Sequence, residues 1–118
     1  MTPEGFRKLA PSFPETYEAS HLEHPDFRVG KRIFATLGHP DGEWGMIKLT
    51  ALQQSQFVAA NRKIFALVRG GWGLRGATNV RLKHATVAAL RAALFEAWRN
   101  TASTKLVAQH ASQPRSLR

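Results

Sequence analysis

Residues 69–83 read RGGWGLRGATNVRLK, and this stretch decides the predicted fold. Its first half places four glycines around a single tryptophan, Trp72, and glycine permits tight turns and close backbone approaches that a side chain would block. In its second half Thr78, Val80 and Leu82 alternate with polar or basic residues, which is the period of a half-buried strand. We therefore predict a mobile or tightly turned basic loop that leads into a strand.

The segments on either side of this loop predict a sheet with helices. Residues 64–68 are predicted to form a strand that pairs across the loop with residues 77–82. Thr50 and Gln53 have the pattern of a capping box, which begins a helix with Leu52, Phe57 and Val58 facing the core. The last helix is predicted from about Thr86 to Thr101, where one helical stripe contains Val87, Leu90, Leu94, Ala97 and Trp98.

The N-terminal part predicts a short helix followed by four strands. Thr2 and Pro3 are typical of a helix start, and Pro11 is typical of a helix end. Short runs rich in β-branched and aromatic residues, separated by turn-forming residues, then predict strands over 16–22, 27–29, 32–37 and 44–49. The turn at His39–Gly42 predicts an antiparallel hairpin between the last two. The predicted fold class is α+β, an antiparallel sheet with helices packed against it, in the order α, four β, α, two β, α.

Length and composition limit the class of protein. The 118 residues suffice for one core, and we predict a single domain over residues 1–101. Beyond it the apolar period is lost, so residues 102–118 are predicted to form a basic, disordered tail. The absence of cysteine excludes disulfides, thiolate metal sites and thiol catalysis. No signal peptide or membrane span can be identified, so we expect a cytoplasmic protein without membrane association.

The charge is strongly positive and unevenly distributed. Seventeen Lys and Arg against eight Asp and Glu give a net charge of +9. Residues 1–43 hold five basic and seven acidic side chains, whereas residues 44–118 hold twelve basic and one acidic. Such an asymmetry is typical of a surface that attracts a polyanion, with nucleic acid the commonest partner and an anionic membrane or ribosomal RNA as further alternatives. A solvated surface without a dedicated partner is the alternative.

The residues best suited to contact phosphate lie in and after the glycine-rich loop. Cations there would neutralise phosphates and release condensed counterions. Trp72 could stack on a base or enter a minor groove, or instead fold back as a lid over the core. The predicted nucleic-acid-binding residues are Arg69, Trp72, Arg75, Arg81 and Lys83, with Lys31 and Arg32 in support.

Other candidate sites are weaker. Arg28 lies two residues from Asp26, so an anion contact and a structural salt bridge both remain open. His21, His24 and Asp26 imitate the spacing of a metal-binding triad, but this loose spacing is more typical of turn residues, and we predict no metal site. No catalytic triad, phosphate-loop motif or pair of catalytic carboxylates can be identified. We therefore predict a protein that is not an enzyme and needs no cofactor.

Several short motifs, taken together, resemble the MmcQ/YjbR family of small bacterial proteins. They extend over nearly all of residues 3–100 and include His24–Val29, Ile33–Leu37, Lys48–Thr50, Gly71–Gly73 and Ala97–Arg99. The resemblance implies an α+β fold similar in layout to type III secretion chaperones, and DNA binding through a double-wing arrangement. The first hairpin loop, residues 38–44, carries two carboxylates and no lysine or arginine, so only the glycine-rich wing suits phosphate.

We therefore expect a non-enzymatic protein that binds nucleic acid, namely duplex DNA with little sequence preference. The alternative from another class is a protein- or peptide-binding adaptor, suggested by the chaperone-like layout, which would show an apolar groove in place of a basic face. A third class, a binder of small anions, would need a concave pocket lined by Arg28 and Arg75.

Overall fold

The predicted α+β fold is confirmed in the computed structural model, which describes residues 1–112, and the predicted elements occur in the predicted order with two further helices among them. The strands are β1 (Thr16–His21), β2 (His24–Val29), β3 (Arg32–Leu37), β4 (Trp44–Lys48), β5 (Phe65–Leu67) and β6 (Ala77–Arg81). The helices are α1 (Pro3–Leu9), α2 (Ala51–Ala60), α3 (Gly71–Leu74), α4 (Val87–Thr101) and α5 (Thr104–Ser112). The sequence patterns predict neither α3 nor α5. Within residues 1–112, no helix has the length and apolar character needed to cross a membrane.

The six strands form one antiparallel sheet in the order β1-β2-β3-β4-β6-β5. Helices α1 and α4 pack on one face of the sheet and bury its core. The largest buried side chains are those of Trp98, Phe6, Phe27 and Phe34. The indole Nε1 of Trp98 donates a hydrogen bond of 3.0 Å to the carbonyl of Pro14, so its polar atom is satisfied as well.

The other face of the sheet, opposite α1 and α4, carries an open groove. Thr36, Met46 and Asn79 lie side by side on β3, β4 and β6. Each of them alternates with buried residues along its strand, so each side chain points away from α1 and α4. We call this surface the open face.

The strand register places the predicted glycine-rich loop, residues 69–76, at one end of the sheet, and we call these residues the glycine-rich segment. Lys48 at the end of β4 pairs with Ala77 at the start of β6, directly after the glycines. The turn between β2 and β3 lies at the same end, where Lys31 and Arg32 come close to Lys48. We call this the basic end.

The opposite end of the sheet holds the turn between β3 and β4, and we call it the hairpin end. The predicted hairpin is confirmed, and its turn is closed by a hydrogen bond of 2.9 Å from the Gly38 N–H to the Trp44 carbonyl. The carboxylate of Asp41 also accepts a hydrogen bond of 2.8 Å from the Glu43 N–H. Trp44 pairs with Arg81 there, so the two predicted wings lie at opposite ends of the sheet.

Close packing fixes the shape of the glycine-rich segment, in agreement with the tightly turned form of the predicted loop. A Cβ atom on Gly73 would lie 1.6 Å from the carbonyl oxygen of Val68, and Gly76 has a φ of +118°. Gln54 of α2 is buried beneath the segment. Its Nε2 donates hydrogen bonds of 2.9 Å to the Gly73 carbonyl and 2.8 Å to the Ala77 carbonyl. The segment is therefore closely packed and hydrogen-bonded within the fold.

The prediction that residues 102–118 form a disordered tail is wrong for the part that the structure describes. Helix α5 begins after Ser103, whose Oγ accepts a hydrogen bond of 3.1 Å from the Leu106 N–H. Leu106 is buried, and the His110 ring lies 5.1 Å from the Trp98 ring, centroid to centroid. These few apolar contacts hold a helix that is too short and polar to show a clear period. Residues 113–118 of the predicted tail lie outside the described residues.

Two side chains predicted to face the core are exposed. Leu52 is 70% exposed, because the inward position of α2 belongs to Gln54, whose amide is needed at the carbonyls of the glycine-rich segment. Val87 in the first turn of α4 is 50% exposed. Phe57 and Val58 do pack against the core as predicted.

Candidate functional site

Three cations line a surface depression at the basic end. Lys31 and Arg32 come from the β2–β3 turn, and Lys48 comes from the end of β4. Together with Ile33, Asn100 and Thr101 they surround a cavity of about 430 Å³. Lys48 is absent from the predicted site residues. Its position at the end of a strand, between the core residues Ile47 and Leu49, is the signal that could have placed its side chain on the open face.

Trp72 of the glycine-rich segment lies near Lys48, which lines this depression. Its side chain is 62% exposed, so it is not a lid over the core. The Arg75 guanidinium carbon lies 5.7 Å from the centroid of the Trp72 ring, and the Lys48 Nζ lies 6.0 Å from it. These are cation–π distances, and they place two positive charges close to one flat aromatic surface. Lys48 thus joins the two predicted clusters, Lys31 with Arg32 and Trp72 with Arg75.

The cations at the basic end lack neutralising partners in residues 1–112. The ion pairs within residues 1–112 join Arg7 to Glu18, Arg28 to Asp26 and Arg99 to Glu96. None of them includes the five cations of the basic end, which are Lys31, Arg32, Lys48, Arg69 and Arg75. Arg69 is exposed and lies just before α3. The basic end therefore combines concentrated positive charge with access to solvent.

Arg81 and Lys83, also predicted to bind, lie at the hairpin end. The Arg81 Nη1 donates a hydrogen bond of 2.8 Å to the Lys63 carbonyl, and its guanidinium lies 4.6 Å from the centroid of the Trp44 ring. The rise of a strand separates Arg81 from Ala77 by about 13 Å. The structure therefore brings Arg69, Trp72 and Arg75 together but leaves Arg81 and Lys83 at the other end of β6.

Arg28 has a structural partner. Its Nε and Nη2 donate hydrogen bonds of 2.8 Å and 3.0 Å to the two carboxylate oxygens of Asp26, whose side chain is fully buried. These hydrogen bonds raise the pKa of Arg28. Of the two open interpretations, the salt bridge is the one observed, and the guanidinium that a small-anion site with Arg75 would need is already engaged.

The groove on the open face runs from the basic end toward the hairpin end. Its volume is about 410 Å³. Lys48 and Trp72 line one end of it, and its remaining lining residues are His21, Leu22, His24, Pro25, Asp26, Ile33, Thr36, His39, Met46, Val68, Ala77 and Asn79. Most of these side chains are apolar or uncharged. Within residues 1–112, no three His, Cys, Asp or Glu side chains are grouped closely enough to hold a metal ion.

One polar atom in the groove floor lacks a partner. The Oδ1 of Asn79 is buried and accepts no hydrogen bond. A buried polar group without a partner costs free energy, and such groups are rare in folded proteins. The other carboxyl or amide group of the floor, Asp26, is satisfied by Arg28. Asn79 is therefore a buried polar group of the floor with unused hydrogen-bonding capacity.

Comparisons with known proteins support the fold. No family model matches the sequence, and no curated protein is significantly similar to it. Among solved structures, the Deinococcus radiodurans protein DR2400, with the family-model domain DUF419, superposes with a TM-score of 0.71 at 15% identity. The match covers 96% of this chain and 89% of that chain. DUF419 has the MmcQ/YjbR-like fold, and at this identity the likeness concerns the fold alone. The chain therefore has a DUF419-like α+β fold.

Proposed function

We propose that this protein binds nucleic acid through phosphate contacts at the basic end and catalyses no reaction. The observation that carries the proposal is the group of five cations without carboxylate partners at the end of the sheet where Trp72 is exposed, two of which, Lys48 and Arg75, lie within about 6 Å of its ring. Concentrated positive charge beside an exposed aromatic ring is the combination that holds a nucleic acid backbone and its bases. The resemblance of the sequence motifs to the MmcQ/YjbR family points to DNA, and the absence of cysteine favours a reducing, cytoplasmic location.

Binding would depend on phosphate charge more than on base sequence. Each phosphate neutralised by Lys or Arg releases a condensed counterion, and the logarithm of the binding constant falls by about 0.7 to 0.9 per contact for each logarithmic unit of salt. Contacts of this kind carry no sequence information by themselves. The proposal therefore includes little sequence preference. Arg81 and Lys83 would add a second, separate contact to a long strand that passes along β6.

A protein- or peptide-binding adaptor remains the second candidate, because most of the exposed surface of the groove on the open face is apolar. An apolar partner in this groove would be held by surface burial, which moderate salt does not weaken. Nucleic acid binding at the basic end would weaken steeply with salt. The two functions are thus separated by salt dependence.

The proposal is tested by charge reversal at the basic end. Lys48→Glu and Arg75→Glu together should weaken binding to labelled DNA of several sequences by at least about tenfold, and by a similar factor for each sequence. Fluorescence anisotropy at low salt measures the effect. The matched control is Arg62→Glu with Arg91→Glu, which makes the same change in net charge at exposed positions outside the basic end. Equal losses in the two double variants would mean that only the overall charge matters and would refute the assigned surface.

A further inference from the structure

The groove on the open face has the size and position of a binding site. Its volume of about 410 Å³ lies within the range of about 300 to 1,000 Å³ that is typical of small-molecule sites. Met46 and Thr36 form part of its floor, and Leu22 and Trp72 belong to its lining. A flat ring that enters the groove can stack against the exposed indole while its other face contacts apolar side chains.

Asn79 gives this floor a specific hydrogen-bonding capacity. Its buried Oδ1 has no partner, and rotation of the amide about χ2 would present this oxygen to the groove. An apolar side chain of a peptide could not satisfy it. The ring N–H or exocyclic amine of a nucleobase could, because these groups donate hydrogen bonds along the edge of a flat ring.

The charge of the groove is concentrated at one end. Lys48 lines the groove, and Asn79 lies one lateral row closer to the hairpin end, because Lys48 pairs with Ala77 and Met46 pairs with Asn79. The two rows are about 6.6 Å apart along the strands. A ligand seated on Asn79 and Trp72 would therefore place an attached anionic group near Lys48. A base with its own phosphate has this arrangement of a flat polar ring and a nearby negative charge.

From these features we infer that the groove receives one unstacked nucleobase, with its phosphate bound at the basic end. This inference rests on the proposed function and adds the form of nucleic acid that the site selects. In a duplex the bases are paired and stacked, and moving one of them into a pocket costs free energy that a single strand largely avoids. The protein should therefore prefer single-stranded nucleic acid to duplex.

The test compares short labelled probes with the full-length protein at low salt. The probes are a single strand of mixed sequence, its duplex, and a strand of equal length in which every base is missing but every phosphate is kept. We expect the single strand to bind about tenfold more tightly than the other two, since stacking on an aromatic side chain has effects of this size. Titration with AMP, followed by the NMR signals of the Trp72 indole and the Asn79 amide, distinguishes a free nucleotide from a base within a strand.

Two variants localise the effect. Trp72→Ala and Asn79→Leu should each reduce single-strand binding toward that of the strand without bases. The matched control is Leu74→Ala, on the same short helix as Trp72, where the side chain is 78% exposed and does not line the groove. Because Trp72 is exposed, its removal leaves the fold intact, and this variant remains informative even if Asn79→Leu reduces stability.

The outcomes separate the inference from the proposed function. Equal binding of all three probes, unchanged in both variants, would overturn the nucleobase site while leaving phosphate binding in place. No binding of any strand would overturn the proposed function, and AMP signals at Trp72 and Asn79 would then identify the site as one for a free nucleotide. If an apolar peptide bound in the groove and lost affinity in both variants while the strands were unaffected, the groove would belong to a protein partner.

Discussion

Replacing the buried Gln54 with leucine should loosen the segment that carries Trp72 and Arg75. The Gln54 amide donates to the carbonyls of Gly73 and Ala77, and both hydrogen bonds would be lost. Each carbonyl keeps a second donor, at 3.1 Å for Gly73 and 3.2 Å for Ala77, so neither is left unpaired. The expected loss is therefore about 1 kcal/mol for each bond, or about 2 kcal/mol in the free energy of unfolding.

Thermal denaturation followed by circular dichroism measures this loss. For a domain of this size, about 2 kcal/mol corresponds to a fall in Tm of about 8 °C. Gln56→Leu is the control, because Gln56 is exposed on the same helix and should change stability by less than about 0.5 kcal/mol. Hydrogen exchange should also become faster at residues 71–77. A Gln54→Leu protein with the wild-type Tm and wild-type exchange would refute the reasoning that this amide holds the glycine-rich segment.

Three further changes test the packing. Arg28→Met, which leaves a fully buried carboxylate unpaired, should lower the Tm more than Arg7→Met, which breaks an exposed pair; equal shifts would contradict this interpretation. Gly73→Ala should lower the free energy of unfolding, measured by urea denaturation, by more than about 3 kcal/mol, because the new Cβ would meet a backbone carbonyl. Gly71→Ala should lower it by less than about 1 kcal/mol, because a Cβ there meets no atom within 4 Å. Leu106→Ala should lower the free energy of unfolding by about 2 kcal/mol in the same assay, because Leu106 is buried. An unchanged urea midpoint would mean that α5 adds no stability.

The elements with strong local signals could be predicted from the sequence. Thr50 and Gln53 form the capping box that their spacing indicates, with Thr50 Oγ1 and the Gln53 side chain each accepting a backbone N–H. The Pro-Asp-Gly turn forms the expected hairpin between β3 and β4. In both cases a few adjacent residues determine the conformation, so no distant contact is needed to predict it.

Elements held by distant contacts could not be predicted in this way. Helix α3 is only four residues long and includes two glycines, which are poor helix formers, and it depends on Gln54 from another helix. Helix α5 depends on contact with Trp98 and Phe95, which the local pattern does not reveal.

The candidate site could likewise be predicted only in part, because its assembly depends on contacts between residues that are distant in sequence. Cations and an exposed aromatic residue can be identified from the sequence, and Trp72 and Arg75 do lie together. That Lys48 lies between them and Lys31 depends on the pairing of β4 with β3 and β6, which a single sequence does not specify. The same pairing places Arg81 at the far end of β6. Charge composition thus predicts the kind of surface, and strand register determines which cations share it.

The salt dependence of single-strand binding tests the central claim most directly. If the five cations of the basic end each neutralise one phosphate, a plot of log K against log salt should have a slope of about −3.5. Neutralising two of them, with Lys48→Gln and Arg75→Gln, should reduce the magnitude of this slope by about 1.4, whereas Arg62→Gln with Arg91→Gln should leave it unchanged. A slope near zero, or equal slopes in both double variants, would contradict nucleic acid binding at the basic end.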